Sequence, residues 1–279
     1  MKTKDKVTCR LCPRACRLAE AEAGFCGARL NKDGRIALRA PGLLSSVALD
    51  PIEKKPLAYF RPGEMILSAG FFGCNMRCPF CQNYQISMRP PEADNGIVYT
   101  PEALVKLALS LKKAGNCGIA FTYNEPLLAF EYIKEVFTAA KKEGFETVLV
   151  TNGNFLQDTI EDIAPLVSAW NIDLKCFHEE GYRRLGGSFD CVKQTIEIAA
   201  AHSHVEVTTL VVPGLSDNEE DMKKEAAWLA SVDPGIPLHL TRCFPQYRDR
   251  GREPTPLKRL YALEAIAKDA LHYVRLGNV

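Results

Sequence analysis

Met65-Ile-Leu-Ser-Ala-Gly-Phe-Phe72 runs directly into Gly73-Cys-Asn-Met-Arg-Cys-Pro-Phe-Cys-Gln-Asn83, and the rest of the chain is read outward from this junction. The first half is apolar enough for a strand buried on both faces. The second half holds Cys74, Cys78 and Cys81 in a Cys-x3-Cys-x2-Cys spacing. Three thiolates on one short loop can each reach a different iron of a cubane cluster, whereas ordinary iron–sulfur carriers supply four. No fourth cysteine lies within ten residues, so one iron would stay open to another ligand. A closed tetrahedral zinc site would need that fourth ligand. Incidental buried cysteines do not crowd into a loop flanked by Gly, Asn, Arg and Pro.

The 279 residues are 47% hydrophobic and 25% charged with formal net charge +1, values of an ordinary globular chain. Near-neutral charge gives no case for nucleic acid or an anionic membrane as partner. No apolar run reaches the roughly 18 residues of a membrane span, and no apolar stretch follows the basic Met1–Lys6 start, so a cytoplasmic location is expected. Eleven cysteines, an odd count in a chain long enough to bury its own core, argue for metal binding rather than a disulfide scaffold.

Residues 1–64 read as a small cysteine-rich appendage with its connection, and 65–279 as the main domain. Cys9, Cys12, Cys16 and Cys26 form a Cys-x2-Cys-x3-Cys-x9-Cys set. Such a set holds zinc, iron or a second iron–sulfur cluster, and softness does not choose among them. A knuckle this short needs the metal to fold. Asp33-Gly34 marks a turn before a strand-like Arg35–Leu38. Asp50-Pro-Ile-Glu-Lys-Lys-Pro-Leu57 reads as a solvated connection broken by two prolines.

From Met65 onward, apolar runs alternate with amphipathic stretches. Strands are expected at 65–72, 118–123, 146–151, 169–174, 205–212 and 237–242. Helices are expected at 101–114, 127–143, 156–167, 192–202, 218–231 and 257–270. Thr100, Pro101 and Gly115 supply the start and stop signals of the first helix. This alternation implies parallel βαβ units and an α/β fold, a partial (β/α)6 barrel. Ligand-contacting residues of such barrels lie at the C-terminal strand ends. The polar residues fall there: the cysteine loop, then Asn124 and Glu125, Thr151 and Asn152, Asp173 and Lys175. Asp173 and Lys175, two apart, point to the same side and also suit a local ion pair. Thr151 and Asn152 also suit a plain turn. Cys176 and Cys243 read as packing, and His202 and His204 as structural.

With Cys12-Pro-Arg-x-Cys16, Asp50–Leu57, Gly73–Asn83, Tyr123-Asn-Glu-Pro126, Thr151-Asn-Gly153, Asp173-Leu-Lys175 and Val212-Pro-Gly214 assembled, the chain resembles radical S-adenosylmethionine (SAM) proteins. Within them it resembles the pyruvate formate-lyase activating enzyme-like branch, and more closely the radical SAM member of the AmmeMemoRadiSam system. The resemblance implies a 4Fe-4S cluster on Cys74, Cys78 and Cys81 that binds SAM at its open iron and cleaves it to a 5′-deoxyadenosyl radical. It further implies a flavodoxin- or ferredoxin-like electron donor, and a protein, peptide or small-molecule substrate. Glu125 and Lys175 are the catalytic candidates. Phe80, Asn124, Glu125, Thr151, Asn152, Asp173, Lys175 and Thr209 are candidate SAM contacts; Thr209 stands where related activating enzymes often carry His. Val150 stands where they often carry Asp, which puts a monovalent-cation site in doubt. A non-catalytic iron–sulfur or zinc protein is the reading from another class.

Overall fold

The computed structural model describes residues 6–92 and 96–279. Eight strands form one sheet: β1 (Ser46–Pro51), β2 (Met65–Gly70), β3 (Asn116–Phe121), β4 (Glu146–Thr151), β5 (Ala169–Asp173), β6 (His204–Val211), β7 (Leu238–Arg242) and β8 (Val274–Gly277). Their order across the sheet is their order along the chain. β1 runs antiparallel to β2, and every later neighbour is parallel. Right-handed crossovers that always step the same way leave all their helices on one face. The other face, with its two edges unjoined, forms the cup of a partial barrel.

Besides a single turn at Tyr84–Ser87, the described α-helices are α1 (Pro101–Ser110), α2 (Phe130–Lys142), α3 (Gln157–Ile163), α4 (Glu179–Leu185), α5 (Phe189–Ala200), α6 (Glu219–Val232) and α7 (Leu257–Lys268). The Thr100 hydroxyl accepts the Ala103 N–H at 3.2 Å, Pro101 opens α1, and Gly115 at φ +86° ends the turn that follows. α2 buries Tyr132, Ile133, Val136, Phe137 and Ala140, one stripe of a 3.6-residue period. α4 carries no apolar stripe long enough to read from sequence.

The six expected strands are present, with a further strand at each edge. β8 is four residues long and half-buried, so it leaves no apolar run to recognise. β1 corrects the reading of residues 50–57 as a solvated connection. It pairs along its whole length with β2, so one sheet crosses the expected boundary at 64/65. Ile52, Lys55 and Leu57 behind it are buried. Pro51 ends an edge strand, where a missing N–H removes no ladder bond. The charge of Lys55 is tolerated because Asp50 accepts its ammonium at 2.8 Å and the Tyr123 ring lies 4.5 Å from it.

Two features position the cavity. Residues 56–59 cross the inner face of β5 and β6: Pro56 C=O accepts Asn171 Nδ2 at 2.9 Å, and Glu206 accepts the N–H groups of Ala58 and Tyr59 at 2.9 and 2.8 Å. This segment floors the cup. The cysteine-rich segment makes two short antiparallel ladders, Val7–Thr8 with Arg17–Leu18 and Arg29–Lys32 with Arg35–Leu38. It docks through Leu11 C=O, which accepts from Leu156 N and Thr159 Oγ1, and through a bidentate Arg29–Glu131 pair at 2.6 and 2.8 Å.

Candidate active site

A cavity of about 600 Å³ opens at the C-terminal ends of the strands. Cys74, Cys78 and Cys81 line it together, on the loop that leaves β2. Phe80, Asn124, Glu125, Asn152, Asp173 and Lys175 line it as well. The sequence expectation that these residues share one rim therefore agrees with the geometry.

Two candidates lie elsewhere. Thr151 is buried behind the rim and donates to Glu125 Oε1 at 2.8 Å. Thr209 faces the helix layer, where it donates to Glu225 Oε1 of α6 at 2.5 Å. Side chains alternate along a strand, so Thr208 takes the cavity-facing place instead.

The rim is held by cross-strand hydrogen bonds. Glu125 is fully buried; its Oε1 accepts from Leu127 N and Thr151 Oγ1, and its Oε2 accepts from Asn152 N at 2.8 Å. Burial pushes its carboxyl up to about 7, against those three donors. Three of its roughly four acceptor positions are thus spent inside the protein, which makes it a positioning residue more than a free ligand. Asn124 ties the cysteine loop to β3 by accepting Phe71 N–H at 2.9 Å and donating to Gly73 C=O at 3.0 Å. Asn152 Nδ2 donates to Asn75 Oδ1 at 2.9 Å and reaches Cys74 Sγ at 3.6 Å. Asp173 and Lys175 form an ion pair at 2.8 Å within the cavity wall. Burial works against the Lys175 charge, but Asp173 outweighs it and holds its pKa above the ordinary lysine value.

The three loop cysteines are free of disulfides. Burial pushes Cys78 up to about 12 and Cys74 higher still. As bare thiols they stay protonated, and metal coordination is what turns such groups into thiolates. Among the described residues, no three Cys, His, Asp or Glu side chains converge on a single-ion position. A cubane attaches each cysteine to its own iron, so cluster ligands need not converge on one point. Met76 N–H points at Cys74 Sγ at 3.4 Å, the kind of donor that tunes a cluster sulfur. Cys9, Cys12, Cys16 and Cys26 likewise share one small enclosed cavity, walled by Leu11, Leu18 and Leu128. Asn75 reaches both places: it lines that cavity and donates to Asn154 C=O at 2.7 Å on the rim side.

Sequence reasoning missed Glu206 and Thr208 of a polar floor, where Thr208 lines the cavity beside His239. Glu206 accepts from His239 Nε2 at 2.6 Å and His204 Nε2 at 2.9 Å, besides its two backbone donors. The polar residues at 204, 206 and 208 share one face of β6, and that two-residue period inside an apolar run was the available signal. Also missed was Tyr123, which lines the cavity at φ +74° and donates to Asp50 Oδ2 at 2.6 Å.

The sequence pattern of the radical SAM superfamily matches residues 70–229. An uncharacterized protein of Methanocaldococcus jannaschii, MJ0808, is 35% identical over 280 residues, covering 99% of this chain and 82% of that one. Pyruvate formate-lyase 1-activating enzyme of Escherichia coli is 30% identical over 159 residues, covering 54% of this chain and 62%, under two thirds, of that enzyme. Among solved structures, TYW1 with a lysine-pyruvate adduct superposes with TM-score 0.55 at 18% identity, over 81% of this chain and 83% of that one. Streptococcus suis SuiB bound to S-adenosylmethionine gives TM-score 0.58 at 13% identity, over 76% and 51%. At those identities the two structures speak for the fold alone.

Proposed function

The chain belongs to the radical SAM superfamily and is an enzyme of that class, and from that premise we propose that it cleaves SAM reductively and uses the resulting radical to take hydrogen from a substrate. Cys74, Cys78 and Cys81 would hold a 4Fe-4S cluster, which would supply the one electron that reductive cleavage of SAM needs. The observation that carries the reading is one cavity walled together by those three thiols and by Asn152, Asp173 and Lys175.

The residues have distinct tasks in this reading. Asn124 and Asn152 fix the cysteine loop against β3 and β4, and Glu125 fixes Asn152. The Asp173–Lys175 pair offers an ammonium that a carboxylate of SAM can approach without displacing Asp173. Phe80 packs in the wall beside the thiols. The floor formed by residues 56–59 keeps bulk water out of the cup, which protects a reactive radical. Val150 leaves that part of the wall apolar where a cation would need oxygen ligands.

A one-electron carrier of flavodoxin or ferredoxin type is the partner this chemistry requires. The resemblance to activating enzymes favours a protein or peptide substrate, with a glycyl-radical activase as one form of it. The N-terminal cysteines hold a second metal centre in this reading, because four soft donors line one apolar-walled cavity; as they do not converge on a single-ion position, either metal draws them together or a cluster spans them. The rival, a metal-binding protein without catalysis, has no use for the ordered rim. Anaerobic reconstitution with iron and sulfide, followed by SAM and dithionite, tests the proposal: 5′-deoxyadenosine forms in the wild type and not in Cys78→Ala. A cluster-loaded wild type that leaves SAM intact would favour the rival.

A further inference from the structure

Outside the cavity, the cysteine loop is backed by a stack of alternating cations and rings. Arg14 and Arg77 lie over the two sides of the Phe25 ring, 3.5 and 3.9 Å from its centroid. Beyond the loop, Tyr84 and Tyr247 stack at 4.8 Å, with Arg250 over Tyr84 and Arg248 over Tyr247. Both halves are fastened to the loop itself. Arg77 belongs to it and donates to Cys74 C=O at 2.7 Å, and Arg248 N–H donates to Pro79 C=O at 2.9 Å. Phe25, Arg248 and Arg250 are exposed.

The four arginines are held by carbonyl oxygens, a tyrosine hydroxyl and ring faces. Arg14 donates to Gly186 C=O, Arg77 also to Phe25 C=O, and Arg250 to Tyr84 Oη. Among the described residues none of the four is ion-paired with a carboxylate, whereas Arg29, Arg61, Arg183, Arg184, Arg252 and Arg259 are. Asp249, between Arg248 and Arg250 in sequence, faces Arg252 instead, at 3.6 Å. In a chain of net charge +1, this face therefore gathers four guanidinium groups without a carboxylate pair beside the loop that bears Cys74, Cys78 and Cys81. None of the seven stacked side chains lines the cavity. A substrate has to enter the cavity; an electron carrier has only to approach the metal from outside.

We propose that this arginine–aromatic face is the docking surface for an acidic one-electron carrier protein. The inference rests on the function proposed above. One electron leaves the reduced carrier, which is oxidised by one electron, and the metal centre behind the loop is reduced by one; no bond forms or breaks. Charge complementarity selects the acidic partner and steers its approach. Rings and guanidinium planes supply a rigid contact area at low entropic cost.

The test measures binding of a purified bacterial flavodoxin, oxidised, to the anaerobically reconstituted protein by calorimetry at several salt concentrations. The expected result is binding that weakens with salt, and at least about a tenfold weaker Kd in the double variant Arg248→Glu/Arg250→Glu with a flatter salt dependence. Dithionite, which needs no docking, reduces both proteins equally, as read by electron paramagnetic resonance. Equal flavodoxin affinity in the two proteins, or none in the wild type, overturns the proposal. A 20-nucleotide oligo(U) RNA that binds the wild type more tightly than flavodoxin, and not the variant, overturns it in favour of nucleic acid. Iron content read alongside separates the two claims. A protein that holds no iron on the loop contradicts the proposed function, while the flavodoxin isotherm, which needs no cluster, still decides the docking surface.

Discussion

Glu125 Oε2 accepts the backbone N–H of Asn152 at 2.8 Å, which joins the rim behind β3 to the rim behind β4. Asn152 passes the connection on to Asn75 in the cysteine loop at 2.9 Å. Three strand ends are thus held in one frame by a single buried carboxylate and two amides. Cavity shape depends on that frame as much as on the thiols.

Glu125→Ala is expected to destabilise the metal-free protein by about 2–4 kcal/mol, because Leu127 N, Thr151 Oγ1 and Asn152 N lose their acceptor. Glu125→Gln keeps the shape and one acceptor oxygen and costs less. Urea unfolding of the two variants checks the order. Equal midpoints for wild type and Glu125→Ala would show that the carboxylate is dispensable.

Two buried glutamates give opposite pH dependence. Burial pushes Glu225 up to about 8 from 4.5. The folded state therefore holds its proton more tightly, and stability falls as pH rises from about 4.5 to 8, then levels off. Glu206 runs the other way: burial opposes its charge, but His204, His239 and two backbone N–H groups outweigh it and hold it down at about 2. Its contribution is present above 4.5 and is lost as pH falls toward 2. Glu225→Gln should flatten the neutral limb of the stability profile and Glu206→Gln the acid limb. Unchanged slopes would refute both assignments.

Lys55, Asp50 and Tyr123 form a buried group in which the ion pair is 2.8 Å and the tyrosine bond 2.6 Å. Lys55→Ala is expected to cost about 3–5 kcal/mol, since Asp50 is left with Tyr123 and only the exposed Lys54, 3.5 Å away, for a charge partner. Lys55→Met combined with Asp50→Asn should recover a large part of that loss. A double-mutant cycle by denaturant unfolding gives the coupling, and a value near zero would mean the pair is incidental.

With Cys74, Cys78 and Cys81 all replaced by alanine, metal at Cys9, Cys12, Cys16 and Cys26 should remain, and further replacement of Cys9 should abolish it. Elemental analysis of both proteins checks this and separates zinc from iron. Metal-free triple variant would remove the second site.

The cysteine loop was legible because its ligands are local: Cys74, Cys78 and Cys81 span eight residues, and their spacing survives any fold. Asp173 and Lys175 were legible for the same reason. Thr209 was misplaced because strand parity decides which of two adjacent threonines faces inward, and Thr208 and Thr209 are chemically identical. The floor was hidden for a different reason. Glu206 and His239 are 33 residues apart, and they meet only through the register that sets Thr208 opposite His239 on β6 and β7. Residues 50–57 looked solvated because charge and proline usually mean exposure. The acceptors that let Lys55 be buried, Asp50 beside it and Tyr123 from 68 positions away, had to be brought together by the sheet.

The most direct test of the account is electron paramagnetic resonance of the dithionite-reduced, reconstituted protein before and after SAM is added. The account predicts a 4Fe-4S signal whose g-values shift on adding SAM, because the iron left open by Cys74, Cys78 and Cys81 takes a new ligand. A cluster signal that SAM leaves unchanged would contradict it.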